Sequence, residues 1–146
     1  MIAVDTNILV YAHRKDFPHH QKSLETIQKL FESDEFWCIP WPCISEFYSV
    51  VTNPKIFKKP EDATSPKEAF QQINSWLESP GISLIHENEL TYQILQNLVI
   101  SKTLKGPAVH DARIYAICAS HRVESLCTFD RDFSKMSGSV SVQVVI

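Results

Sequence analysis

The sequence is short of the features that would assign it quickly. It has no excess of positive charge: 14 Lys and Arg stand against 17 Asp and Glu, a formal net charge of -3. That excludes a generally basic nucleic-acid binder and leaves only a local site for such a partner. It has no apolar run near the roughly 18 residues that span a bilayer. Met1 to Ala12 is not expected to be a signal peptide, because it lacks a basic start and Asp5 interrupts its apolar run. The chain also lacks metal-binding spacings. Cys38, Cys43, Cys118 and Cys127 form no C-x-x-C pair, and the six histidines show neither the H-E-x-x-H pattern nor a cysteine at zinc-finger spacing. Isolated cysteines among apolar neighbours read as buried thiols in a reducing compartment, and a cytoplasmic protein is expected. Repeats, low-complexity tracts and linkers are absent too.

What remains is an ordinary globular chain of 146 residues with 44% hydrophobic content, enough for one domain over 1–146 with a real core. Strand and helix signals alternate from end to end, the pattern of an α/β fold with a mainly parallel sheet. Strands are expected at 2–4, 35–40, 82–85, 125–128 and, at an edge, 141–146. Helices are expected over 8–12, 19–33, from Pro42 to about Thr52, from Ser65 until Pro80-Gly81, from Asn88 or Glu89 until Gly106-Pro107, and over 108–121. Ser65-Pro66-Lys67-Glu68 is the clearest start, a Ser cap with Pro at the first helical position and Glu placed to close a capping box. Leu24, Ile27, Leu30 and Phe31 form one apolar stripe at helical spacing. Phe70, Ile73, Trp76 and Leu77 form an expected buried stripe, and Leu90, Ile94, Leu95, Leu98 and Val99 another.

The chemistry is in the acids. Asp5 ends the first strand at the mouth of a helix, where open α/β sheets place ligands; capping that helix is its simpler role. Glu46 lies early in the helix after the second strand, and Asp130 directly follows the fourth. Asp111 opens a helix, where the dipole favours an acid. Singly, each has a plain structural explanation as a cap, a turn residue or a solvated charge. Together they can converge on one sheet edge. Two unit charges about 4 Å apart repel by about 4 kcal/mol at an effective dielectric near 20, so such a cluster calls for protons or a cation. Oxygen ligands suit Mg²⁺, which takes one or two carboxylates plus waters and a substrate phosphate.

At this point the chain resembles the PIN-domain ribonucleases, and within them the VapC-type toxins of toxin–antitoxin pairs. The resemblance is carried by Ile2-Ala3-Val4-Asp5-Thr6-Asn7-Ile8-Leu9, Ser45-Glu46-Phe47, His110-Asp111-Ala112 and Thr128-Phe129-Asp130-Arg131-Asp132-Phe133, in the family's order along essentially the whole chain. It implies a three-layer α/β/α domain with a five-stranded sheet, a homodimer, a cognate antitoxin, and RNA cleavage dependent on Mg²⁺ or Mn²⁺. It implies that Asp5, Glu46, Asp111 and Asp130 form the catalytic and metal-holding set, with Asp132 a second candidate for the last place. Thr6, Asn7 and Thr128 would support them; Thr6 and Asn7 are equally good helix-starting residues. Lys55 to Pro80 resembles the helical clip in which such proteins meet partners. Lys15, Lys55, Lys58, Lys59, Lys102, Lys105 and Arg131 are candidate phosphate contacts. Trp37, Trp41 and Trp76 suit core or dimer packing better than base stacking. Rival readings are a PIN nuclease of RNA maturation, a noncatalytic RNA- or metal-binding module, and a phosphohydrolase or phospho-acceptor using Asp5 covalently. The last lacks its second acid, since Asn7 stands where one would be needed.

Overall fold

The computed structural model describes residues 1–136 and 138–146. Its order is β1 (Ile2–Val4), α1 (Thr6–His13), α2 (His20–Glu32), β2 (Trp37–Pro40), α3 (Trp41–Val51), α4 (Pro66–Leu77), β3 (Ile82–Ile85), α5 (Thr91–Lys102), α6 (Ala108–Ser120), β4 (Ser125–Thr128) and β5 (Ser141–Val144). Short 3-10 turns occupy Pro60–Asp62 and Arg131–Lys135. The five strands form one sheet in the order β3-β2-β1-β4-β5, every pairing parallel. α1 packs on α2 and α3, and α3 on α4, while α5 packs on α6. The sheet lies between helical layers, a three-layer α/β arrangement.

The topology itself creates a crevice. From β1 the chain steps outward through β2 to β3, then returns to the other side of β1 as β4. β1 therefore pairs with β2 through Ile2↔Trp37 and with β4 through Ile2↔Ser125. Connections leaving the ends of β1 and β4 run in opposite directions, which opens a gap beyond their carboxyl ends.

The strands are short, and the inner ones are buried as a sheet covered on both faces requires: β2 and β4 are buried at every position, while the edge strands β3 and β5 stay partly exposed. Ala3, Val4, Trp37, Ile39, Phe47, Val51, Ile117 and Leu126 are fully out of water. Each large aliphatic or aromatic side chain buried in this way contributes about 1.5–3 kcal/mol relative to exposure. All four cysteines are buried and free, and burial pushes the Cys38 thiol up to about 12, so they pack as small apolar groups. No helix among the described residues is long and apolar enough to cross a membrane.

Several local expectations need correction. Of the α4 stripe expected to be buried, Ile73 and Trp76 are buried and Leu77 partly so, but Phe70 is 53% exposed; of the α2 stripe, Ile27 and Leu30 are buried while Leu24 and Phe31 are 40% and 44% exposed. An amphipathic helix on the outside of a layered domain buries only the centre of its apolar stripe. Leu90 is 56% exposed, because α5 begins one residue later, at Thr91. Asn88 forms the turn before it, its Oδ1 accepting from Leu90 N at 2.9 Å. Trp37 and Trp76 belong to the core, but Trp41 is about half exposed at the start of α3. At Ser65 the capping box forms as expected: Glu68 N donates to Ser65 Oγ at 3.2 Å, and Ser65 N donates to a Glu68 carboxylate oxygen at 3.4 Å.

Candidate active site

Asp5 sits where the β1 backbone stops being a strand. Its N–H still donates to Cys127 O at 3.0 Å, continuing the ladder to β4. Its carbonyl already accepts from Ile8 N at 3.1 Å, the first bond of α1. The side chain does cap the helix, with Oδ1 accepting from Thr6 N at 2.7 Å. Capping and membership of a site are therefore not alternatives here. Oδ2 accepts from Thr128 Oγ1 at 2.7 Å and from Asn7 Nδ2 at 2.9 Å. A carboxylate offers about four lone-pair positions, and three are taken by strong donors. One position on Oδ1 is left, near the weak Cys43 Sγ contact at 4.0 Å.

Thr128 is the junction of this corner. Its fully buried hydroxyl donates to Asp5 and accepts from Asn7 Nδ2 at 3.0 Å and from Asp130 N at 3.0 Å. Asn7 closes the loop by accepting from Phe129 N at 3.1 Å through Oδ1. One Thr and one Asn thus lock the end of β1 to the end of β4. Thr6 ties the same corner to α3, donating from Oγ1 to Glu46 Oε2 at 2.6 Å.

The four acids named from the sequence line one cleft of about 310 Å³, together with Thr6, Asn7, Val10, Tyr11, Phe17, Val50 and Phe133. Asp5 arrives from β1, Glu46 from the second turn of α3, Asp111 from the first turn of α6 and Asp130 from the turn after β4. Asp132 does not share this cleft. It is exposed and paired with Lys135 Nζ at 2.7 Å, while its N–H donates to Asp130 Oδ1 at 2.8 Å. Asp132 therefore holds Asp130 from outside.

The cleft makes ionisation costly. Asp5 is 4% exposed, and its carboxyl is pushed from 3.8 up to about 6. Burial is the main cause, opposed by the Thr128 and Thr6 hydrogen bonds and reinforced by Asp111 and Glu46. Asp111 is raised as well, by burial first and then by the charges of Asp130, Glu46 and Asp132. Among the described residues none of the four acids has a Lys or Arg ion-pair partner. Nor do any three His, Cys, Asp or Glu side chains there close into a ready-made ion cage. Hard oxygen donors, repelling charges and one open lone pair on Asp5 fit a divalent cation that keeps several of its waters.

Sequence reasoning missed the apolar lining. Val10 and Tyr11 lie three and four residues after Asn7, so they share its helical face, and that spacing was the available signal. Phe17, Val50 and Phe133 had none, since only the packing of distant segments places them here.

These features define an open, parallel α/β domain with an acid-lined cleft at the reversal of strand order. The family model described as PIN domain matches residues 2–139, and the chain belongs to that family. Among curated relatives, the VapC ribonuclease Mb2897 of Mycobacterium bovis is 30% identical over 92% of this chain and 89% of its own length. Ribonuclease VapC37 of Mycobacterium tuberculosis is 27% identical over 94% and 93%. Among solved structures, VapBC2 from Rickettsia felis, bound to a promoter DNA fragment, superposes with a TM-score of 0.68 at 19% identity, covering 99% of this chain and 98% of that one. Mycobacterium tuberculosis VapC20, described as a sarcin-ricin loop cleaving toxin, gives 0.66 at 16% identity over 92% and 93%. At these identities the solved structures speak for the fold.

Proposed function

We propose that this protein is a metal-dependent endoribonuclease, the toxin of a VapBC-type pair, held in check by a cognate antitoxin and acting as a homodimer. The observation that carries the nuclease reading is the convergence of Asp5, Glu46, Asp111 and Asp130 from four separate stretches on one cleft, with no Lys or Arg ion-pair partner among the described residues. The toxin and antitoxin parts rest on the curated VapC relatives and on solved neighbours that are toxin–antitoxin assemblies.

Asp5 and Asp111 would be the principal holders of Mg²⁺ or Mn²⁺, with Glu46 and Asp130 completing the set through waters or a second ion. Such an ion supplies charge for the scissile phosphate and acidity for a water. The protein does the rest. Thr128, Asn7 and the Thr6 N–H fix the Asp5 carboxylate, so it cannot turn away when an ion or phosphate leaves. Thr6 leaves Glu46 one oxygen engaged and the other open, and either Glu46 or Asp130 would accept the proton of the attacking water. In-line attack then leaves a 5′-phosphate and a 3′-hydroxyl. Val10, Tyr11, Val50 and Phe133 border the acids with apolar surface that limits competing water.

The test is cleavage of RNA by purified wild type and Asp5→Asn with Mg²⁺, with Mn²⁺ and with chelator. Wild type should cut only with a metal, and Asp5→Asn should not cut. Equal cutting by both, or cutting in chelator, removes the reading.

A further inference from the structure

Beside the acids the cleft continues into a group of rings that the proposed chemistry does not use. Tyr11 and Phe17 line the cleft itself. Tyr11 meets Phe129 edge-on at 5.3 Å and Phe17 at 6.3 Å. His19 lies flat on Phe129, with ring centroids 4.8 Å apart and planes 22° apart. Phe129 directly precedes Asp130, so this stack abuts the acid set.

His19 is an unexpected residue for its place. It is the N-cap of α2 with φ of 64°, yet its side chain makes no capping hydrogen bond. Gly satisfies a left-handed backbone without strain, and Asn, Asp or Ser would cap the helix. Histidine does neither, and its ring is exposed. The corner that carries it is well anchored. His20 Nδ1 donates to Tyr11 O at 2.7 Å, a carbonyl that can only accept.

The surroundings suit a polyanion. Phe17 packs on Phe57 at 5.7 Å, which draws the 52–59 loop to the shelf. Lys15, Lys55, Lys58 and Lys59 flank these two phenylalanines in sequence, are exposed, and make no ion pair among the described residues. One exposed ring backed by half-buried ones, next to lysines without an ion pair among the described residues and beside the cleft that would take the phosphate, favours a nucleic-acid strand over a protein segment.

We propose that the free face of His19, backed by Phe129 and bordered by Tyr11, is the platform on which an unpaired base of the RNA stacks beside the scissile phosphate, with the strand continuing over the Lys55–Lys59 loop. His19 is thus a substrate-positioning residue. It selects RNA whose bases near the cut are free to unstack, and it disfavours continuous duplex. This rests on the nuclease reading for its substrate, but its test does not need cutting.

The test uses the full chain in the Asp5→Asn background and an unstructured oligoribonucleotide of about ten nucleotides carrying 2-aminopurine. Stacking quenches 2-aminopurine fluorescence. Asp5→Asn alone should quench it on binding. Adding His19→Gly should abolish the quench and weaken binding about tenfold, within the range for losing one base–aromatic stack. His19→Phe should restore both. With Asp5 intact, His19→Gly should raise KM about tenfold with kcat within about twofold, since a stack present before and during reaction is uniform binding. His19→Gly should melt no lower than wild type, because glycine suits a φ of 64°, so the loss is not one of folding. Unchanged quench and KM in His19→Gly would overturn the proposal and leave the shelf to a protein partner. Quenching that depends on His19, in a protein that cuts no RNA with either metal, would uphold base stacking and overturn the nuclease reading instead.

Discussion

Burial of the Asp5 carboxyl makes the stability of the metal-free protein fall as pH rises, against the usual trend for paired acids. The carboxyl moves from 3.8 in its ordinary state to about 6 in the fold. Below 3.8 it is protonated in both folded and unfolded chains and contributes nothing. Between 3.8 and about 6 the unfolded chain releases its proton while the folded chain keeps it, so rising pH favours unfolding. Above about 6 both are ionised, and the full penalty of about 3 kcal/mol is present, at 1.36 kcal/mol per pH unit of displacement. Asp5→Asn removes the titrating group. The stability of wild type minus that of the variant should therefore fall by about 3 kcal/mol between pH 3.5 and 7.5. Asp16 and Glu87, held below their usual range by Arg14 and Arg113, act in the opposite sense but equally in both proteins. The assay is urea unfolding in chelator, followed by fluorescence of the buried Trp37 and Trp76. Saturating Mn²⁺ should lift the high-pH end for wild type and not for the variant, since an ion bound only to the folded state stabilises it. Parallel curves for the two proteins in chelator, or a difference that grows with pH, would refute the account of Asp5 as a desolvated acid.

Thr128→Val keeps shape but removes the hydroxyl that donates to Asp5 and accepts from Asn7 and Asp130. It should cost about 1–3 kcal/mol in unfolding experiments. It should also push the Asp5 carboxyl further up, moving the rise of cleavage with pH to higher pH. Asp132→Ala removes an exposed pair with Lys135 and a lesser part of the repulsion felt by Asp111, so it should leave RNA cleavage intact and change stability by less than about 1 kcal/mol, whereas Asp111→Asn should abolish cleavage.

Much of the fold was legible because it is local. Short apolar runs, helical patterns, Pro at helix starts and the Ser65 box act within a few residues, and they marked strands and helices to within two or three positions. The buried stripe of α4 was overread at Phe70, because periodicity tells which residues share a face but not how wide a strip the neighbouring layer covers. The order of the acids along the chain, and the strands and helices that carry them, could also be read directly.

By itself the sequence determined that the chain is an α/β domain, that Asp5, Glu46, Asp111 and Asp130 are set at element ends, and that its family is the PIN domain. Only the tertiary structure decided that one cleft receives all four acids, since that follows from the return of β4 to the far side of β1. It alone excluded Asp132 from the cleft, gave Thr128 its three partners, and laid His19 on Phe129. The contacts Thr128–Asp5, Thr128–Asn7 and His19–Phe129 join residues more than a hundred positions apart, and the distance between two such groups is set by how layers pack, not by any spacing along the chain.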